Sequence, residues 1–433
     1  MSQIDIAPWL AESRWPTVPI RLVARLGSGH TPSRSKPEYW TNCTEPWITL
    51  ADVWQLRSGQ TNVITETKEK VSKLGLANSS ATLHPAQTVI LSRTASVGFS
   101  AIMGHDMATS QDFATWTCGP RLDPRYLLHA LRGMAPDLKR VATGSTHKTI
   151  YMPDIEQLRV PLPPLEEQRR IADFLDSETA RIDRLAELQR KMAVGLNERE
   201  AAQLDIDIDD LISRAGTVPL RRFIWSVDQG SSPQCEAVPA SEDEWGVLKV
   251  SCLRPGVFDP RENKRLPAEI QPDPRNEVRE GDLLITRANT PQLVGSTAVV
   301  RQVRKKILLS DKIFRVRLSE NISPEYVAAV ARGSRVRSLS AAGSNGASSS
   351  MANIRFEEIK QWPMPAVSLP EQMQLVERVS RSRKQLDALR PMVNQRLVLL
   401  AERRQALITA AVTGQFDVST ASGRNVTDGV PTP

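Results

Sequence analysis

Apolar residues fall along this chain in two alternating regimes. In one, short runs such as Val89-Ile90-Leu91 and Leu283-Leu284-Ile285 are bounded by Gly, Pro, Asn and Asp, the pattern of short β-strands. In the other, single apolar residues recur at threes and fours or their sums. From Leu165 these are Ile171, Leu175, Ile182, Leu185, Met192 and Leu196; between Leu375 and Ala411 they are Val379, Leu386, Leu389, Val393, Leu400 and Leu407. So narrow a stripe over about 40 residues predicts a helix of about 60 Å that pairs as a coiled coil, because such an edge cannot be buried alone. Pro163 and Pro164 stand ahead of the first stripe and Pro370 in the first turn of the second, where a helix start accepts proline. Pro391 lies inside the second stripe and predicts a kink or break.

The order of the regimes repeats once. TVILSRTASVG (88–98), TSQDFATW (109–116), LDPRYLLHAL (122–131), ATGSTHKTI (142–150), the strand-like PDIEQLRVPLP (153–163) and LEEQRRIADFL (165–175) form the first copy. DLLITRANTPQLVG (282–295), LSDKIFRV (309–316), ISPEYVAAV (322–330), AAGSNGASSSMANI (341–354), FEEIKQWPMP (356–365) and LPEQMQLVERV (369–379) form the second. Arg93 matches Arg287, Tyr126 matches Tyr326, Ile150 matches Ile354 and Gln168 matches Gln372. A displacement near 200 residues with the order kept is a duplicated domain, not a solenoid repeat. The expected class is α+β, with two strand-rich domains alternating with two long helices. The expected divisions are 1–163, a strand-rich domain; 164–217, a long helix and linker; 218–365, the second strand-rich domain; 366–418, the second long helix; and 419–433, a tail without regular structure. One end stays open. The first helix finishes in AAQLDIDIDDLISRAG (201–216), which is no copy of RQALITAAVTG (404–414).

Composition narrows the class of function. With 40% apolar and 24% charged residues the chain reads as an ordinary soluble globular protein. No uninterrupted apolar run approaches the ~18 residues of a membrane span. The N-terminus has no basic stretch followed by an apolar one, so no signal peptide is read and a cytoplasmic location is expected. The four cysteines, Cys43, Cys118, Cys235 and Cys252, are scattered, with no zinc or redox pairing. The net charge of +7 is carried by 1–163, 218–365 and the C-terminal segment, while 164–217 is acidic. Such an excess on the strand-rich domains is the footprint of a polyanion binder.

The catalytic inventory is empty. There is no GxxxxGK[ST] phosphate loop, no strand followed by GxGxxG, and no Asn-Pro-Pro-Tyr/Phe of an amino-methyltransferase. All five histidines fall in the first copy, without metal-ligand spacing. No catalytic residue, no metal and no cofactor bound by this chain are expected. The Gly/Ser/Thr loops, at the same place in each copy, are the candidate contacts, since small residues let backbone approach phosphates and base edges. The candidate DNA-binding residues are Arg93, Ser145, Thr146, His147 and Lys148 in the first copy and Arg287, Ser344 and Asn345 in the second. The candidate helix-pairing residues are Ile171, Leu175, Ile182, Leu185 and Met192 with Leu386, Leu389, Val393 and Leu400.

LPPLEEQRRIADFLDSETARIDRL (162–185) and ERRQALITAAVTGQFDV (402–418) resemble the conserved helical regions of type I restriction-modification specificity (S) subunits, and the alternation of domain and helix extends the resemblance from about Trp9 to Val418. The resemblance implies a non-catalytic subunit whose two target recognition domains each read half of a bipartite, asymmetric site on double-stranded DNA. It implies that the helices pair antiparallel, set the spacer and dock two methyltransferase (M) subunits, with endonuclease-translocase (R) subunits joining them. S-adenosylmethionine, ATP and Mg would then belong to the partners, and the assembled complex would be an adenine-specific DNA methyltransferase and ATP-dependent endonuclease. Two other readings stand beside it. A duplicated-domain repressor or DNA-structural protein would need no enzyme partners, and a scaffold that never touches DNA would leave the basic domains without a purpose.

Overall fold

The computed structural model describes residues 6–57, 59–144, 148–348 and 351–418, with backbone alone for 345–348. The expected tail, 419–433, lies outside the described residues. The class is α+β. The chain divides into two compact units, Met1–Arg190 with Val393–Pro433, and Lys191–Met392. These units cut each long helix near its middle, so each takes one end of both helices.

In the first unit a five-stranded sheet runs in the order Ala24–Ser28, Phe113–Cys118, Val89–Ser92, Ser100–Met103, Val63–Ile64. All its pairs are antiparallel except the last. A smaller sheet holds Glu45–Ile48 between Glu69–Val71, antiparallel, and Ala108–Thr109, parallel. Thr17–Pro19 pairs with Arg159–Pro161, fastening the start of the domain to its end. The second unit repeats the plan. Its main sheet runs Ile224–Gln229, Ile313–Leu318, Leu283–Thr286, Thr297–Val299. Gly246–Leu248 lies between antiparallel Asn263–Arg265 and parallel Ile307–Leu308, and Thr217–Pro219 pairs with Pro363–Pro365.

A helix covers each main sheet. Pro124–Val141 is capped by Asp123, whose carboxylate accepts from the backbone N–H of Arg125 and Tyr126 at 2.9 and 3.2 Å. Pro324–Val330 is capped by Ser323. Asp and Ser at the cap with Pro at the first helical position satisfy donors that the helix leaves open.

The long helices span Leu165–Ala215 and Leu369–Thr413. In the first unit Ile171, Leu175 and Ile182 of the first helix and Leu407, Ile408, Ala411 and Val412 of the second join one core with Leu91, Trp116 and Tyr126. In the second unit Leu204, Ile208 and Leu211 of the first helix and Leu375 of the second join Leu283, Ile285, Tyr326 and Trp362. Each buried Leu or Ile is worth about 1.5–3 kcal/mol. The helix ends are therefore part of the domain cores and not appendages. The helices run antiparallel within the second unit, where Asn197, Asp207 and Arg214 meet Arg390, Arg378 and Glu371 in turn. In the first unit Arg404 of the second helix reaches Asp183 of the first at 3.2 Å.

One open end closes and two local expectations change. The first helix ends at Ala215, and Gly216 beyond it has φ +68° with its N–H on Ile212 O at 2.8 Å. Gly414 closes the second helix in the same left-handed region, at φ +76°. A glycine cap stops both helices although the sequences before it differ. Residues 153–163 are not one strand: Met152–Glu156 is a helical turn and only Arg159–Pro161 is extended. Pro153 in the first turn and Asp154 at the positive end of the dipole favour that turn. The second helix runs through Pro391 without interruption, with the proline on an exposed position. Among the described residues no helix is long and apolar enough to cross a membrane.

Candidate nucleic-acid interface

One arginine in each unit ties three loops together. Arg93 follows the strand Val89–Ser92; its N–H donates to Asp112 O at 2.8 Å and its carbonyl accepts from Ile150 N at 2.9 Å. Its guanidinium donates from Nε to Gln111 O at 2.9 Å and from Nη1 to Ile150 O at 3.4 Å. Gln111 in turn accepts from Thr31 Oγ1 at 2.6 Å. The turn 110–112 and the Gly/Ser/Thr loop ending at Ile150 thus meet at Arg93, and the Gln111 side chain brings in Thr31 from the loop after the first sheet strand. In the second unit Arg287 N–H donates to Lys312 O at 2.8 Å, its carbonyl accepts from Ile354 N at 2.9 Å, and Nη1 reaches Asp311 O at 3.4 Å. Gln229 Nε2 donates to the same Asp311 carbonyl at 2.5 Å, and Ser232 Oγ donates to the Asp311 carboxylate. The same loops converge in both copies. An arginine with five donors in a fixed fork suits such a clamp, holding backbone carbonyls of separate segments in register.

A second repeated device joins each domain to the helix that follows it. Gln168 is buried; its Oε1 accepts from Asp123 N at 2.8 Å and its Nε2 donates to Arg121 O and Pro163 O, both at 2.9 Å. Gln372 does the same with Ser323 N at 2.9 Å and with Asn321 O and Val367 O at 3.2 Å. A buried amide with every polar atom engaged locks the helix start to the cap of the sheet-covering helix. Tyr126 donates to Pro161 O at 3.0 Å and to Val412 O at 3.2 Å, and Tyr326 donates to Pro365 O at 3.1 Å. Burial pushes both phenols above their ordinary range, which keeps them protonated and donating.

Arg93 and Arg287 are therefore clamps, half-buried and turned onto backbone. Lys148 is exposed at the edge of the first loop, where its carbonyl accepts from Ala95 N at 2.9 Å. Ser145, Thr146 and His147 lie outside the described residues. Ser344 opens the strand Ser344–Ser348 and its hydroxyl donates to Ala341 O at 2.7 Å. Asn345 pairs through its backbone with Asn353, and its side chain lies outside what is described. Of the helix-pairing set, Ile171, Leu175, Ile182, Leu386 and Val393 are buried and Leu400 packs on the first core. Leu185, Met192 and Leu389 stand outside the seam, 44%, 43% and 40% exposed. On the first helix the half-buried line continues from Ile182 through Ala186, Gln189, Ala193 and Leu196. That line is one residue beyond Leu185 and Met192, and one residue is about 100° of rotation. Leu389 lies about 60° from the line joining Leu386 to Val393 at the same rotation per residue.

Known proteins resemble this chain in sequence over part of its length and in fold. Residues 12–192 match a family model described as "Type I restriction modification DNA specificity domain". The EcoEI specificity subunit of a type I restriction enzyme of Escherichia coli is 32% identical over 170 residues, 39% of this chain and 29% of that protein. The MjaIX specificity subunit of Methanocaldococcus jannaschii is 27% identical over 163 residues, 37% of each chain. The chain thus spans about a third of the length of these relatives. A solved chain from work on "complex assembly and conformational transition of the type I R-M system" superposes with a TM-score of 0.68 at 18% identity, covering 93% of this chain and 98% of that one. At that identity the likeness is one of fold.

Proposed function

Because residues 12–192 match the type I restriction modification DNA specificity domain, we propose that the chain is a type I specificity subunit and that each of its two units reads one half of a bipartite, asymmetric target on double-stranded DNA. The observation that carries this reading is the duplicated clamp, in which Arg93 and Arg287 gather the same three loops in each unit. Two independent loop clusters with different side chains can read two different half-sites, while backbone and lysine contacts to phosphate fix the register. The chain itself performs no chemistry in this reading. Methyl transfer from S-adenosylmethionine and ATP- and Mg-dependent cleavage belong to two methyltransferase subunits and to the endonuclease-translocase subunits that join them, in the cytoplasm.

The long helices serve this reading as ruler and dock. The first, at 1.5 Å per residue, is about 75 Å long and leaves Leu185, Leu188 and Met192 exposed along its middle. A row of large apolar side chains on a paired helix suits a partner helix laid along it. The test is to purify the chain with its neighbouring gene products and map methylated adenines genome-wide. One bipartite motif is expected. Four residues inserted between Ala186 and Lys191 add about 6 Å of rise, so both half-sites should persist while the unread spacer grows by one or two base pairs at ~3.4 Å each. A full-activity insertion variant with an unchanged spacer would remove the ruler, and methylation by the chain alone would remove the non-catalytic assignment.

A further inference from the structure

The turn that Arg287 clamps also walls a cavity, and the matching turn of the first unit carries a different charge. There the turn reads Ser110-Gln111-Asp112, and Ser110 Oγ donates to Asp112 Oδ2 at 3.0 Å. In the second unit it reads Ser310-Asp311-Lys312. A lysine stands where the carboxylate acceptor was, and the Ser310 hydroxyl is left without a hydrogen-bond partner although the residue is only 3% exposed. A buried hydroxyl without a partner is a cost the fold normally avoids, and Ser310 is among the residues that line a cavity of about 340 Å³.

Beside Pro233, Val247, Leu248 and Val250, the rest of that lining carries three lysines. Lys249, Lys264 and Lys312 line it together with Ser232 and Ser251. Lys249 is held by Glu262 at 2.8 Å, and Ser251 donates to the same carboxylate at 2.5 Å. The Asp311 carboxylate, beside the cavity, is engaged by Ser232. Lys264 and Lys312 are both exposed, and among the described residues neither has an ion pair. Two ammonium groups without counter-ions therefore share a concave site with a hydroxyl that has nothing to bond.

We propose that this cavity is a phosphate site, with Lys264 and Lys312 as the counter-charges and the Ser310 hydroxyl as a buried donor. Lysine is a compact point charge with three donors, and a tetrahedral phosphoryl group offers several acceptor oxygens to such a mixed set. The Arg287 clamp adjoins the cavity, because its guanidinium reaches Asp311 O and its N–H reaches Lys312 O. That the phosphate belongs to a DNA backbone rests on the function proposed above, whereas the chemistry of the cavity does not. Unlike charges at one repeated position then give the two half-sites unequal backbone contacts.

The experiment uses the full chain assembled with its methyltransferase partner, and the variants K264A/K312A and S310A. DNA affinity is measured across a salt series, on duplexes in which single phosphates are replaced by neutral methylphosphonates. K264A/K312A should bind about tenfold more weakly at 0.1 M salt, with a log–log salt slope smaller by about 1, the value for one phosphate. One methylphosphonate position should weaken the wild type and have no further effect in K264A/K312A. S310A should keep or raise the melting temperature of the free complex while losing part of that position's effect. In a second arm, millimolar inorganic phosphate is compared with chloride at equal ionic strength. Phosphate stabilisation of the wild type that disappears in K264A/K312A, with the DNA slope unmoved, would assign the site to free phosphate. If the wild type bound no DNA, the function proposed above would fall and the inorganic-phosphate arm alone would decide the cavity. Variants that match the wild type in slope, methylphosphonate profile and phosphate response would overturn the site.

Discussion

The two units share one plan and fasten it to the long helices by different means. In the first, a buried polar cluster does so. His129, fully buried, bonds through Nε2 to Asp176 Oδ1 at 2.9 Å, while its Nδ1 has no partner. Asp176 also takes Asn62 Nδ2 at 2.9 Å and Arg125 Nη1 at 3.2 Å. Arg132 reaches Asn62 Oδ1 at 2.6 Å and Thr61 O at 2.7 Å, and Arg404 reaches Gly59 O at 3.0 Å. In the second unit the positions of His129 and Asp176 are held by buried Ala329 and by Ser380. There Arg332, matching Arg132, pairs with Glu200. Duplication thus preserved the scaffold, the glutamine joint and the arginine clamp but not the chemistry of the seam. A polar cluster is costly to bury and more costly to leave incomplete, so the first unit has at Asp176 a point of failure with no counterpart at Ser380 of the second.

The largest expected effect is at that point. Asp176→Ala removes the partner of buried His129 Nε2 and of Asn62 Nδ2 and leaves Arg125 with Asp173 alone, and should cost about 3 kcal/mol. Ser380→Ala, at the matching place, should stay within about 0.5 kcal/mol. Hydrogen exchange on the two variants separates them, with protection lost across the first unit in one and unchanged in the other. Equal losses would mean that the units share the anchoring after all.

Next in size are the glutamines. Gln168→Ala and Gln372→Ala each remove an amide with three bonds and should each cost about 2 kcal/mol. Because the two geometries match, denaturant unfolding should give similar values; a twofold difference would reveal an asymmetry in the joint.

A pH titration gives a smaller contrast. Burial holds the His129 pKa below its ordinary 6.5, so the folded state keeps it neutral while the unfolded state takes up a proton as pH falls. Burial alone would raise Asp176, but its bonds to His129 and the charge of Arg125 outweigh that and hold it below 3.8. Its contribution is present above 3.8 and fades as pH falls through the folded value. Both groups act in one direction, so stability of the first unit should decline from about pH 6.5 downward. The second unit lacks both residues, and exchange protection there should fall less over the same range. Smallest is Lys148→Ala, which should weaken DNA binding a few-fold and reduce the salt slope by about 1 without changing the base preferred. A changed methylation motif would show that Lys148 reads a base.

Much of this molecule was legible in its pattern of residues. Two stripes at three- and four-residue spacing required two long helices, and the matches Tyr126/Tyr326 and Gln168/Gln372 marked the joints before their bonds were known. Local periodicity and cap chemistry act over a few residues, so the chain carries them openly. Which line of a stripe lies inward was not legible, because Leu185 and Ala186 both continue the spacing from Ile182 and only packing selects between them. Nor was the role of Arg93 and Arg287, whose acceptors are backbone carbonyls that any residue supplies. The cluster around Asp176 draws on Asn62, 114 positions away in the chain, and the cavity around Ser310 on segments as distant as Ser232. Sequence alone determined the elements and their duplication. The tertiary structure decided which side chains share a dielectric and a partner, since burial and pairing are properties of a place that distant segments make together.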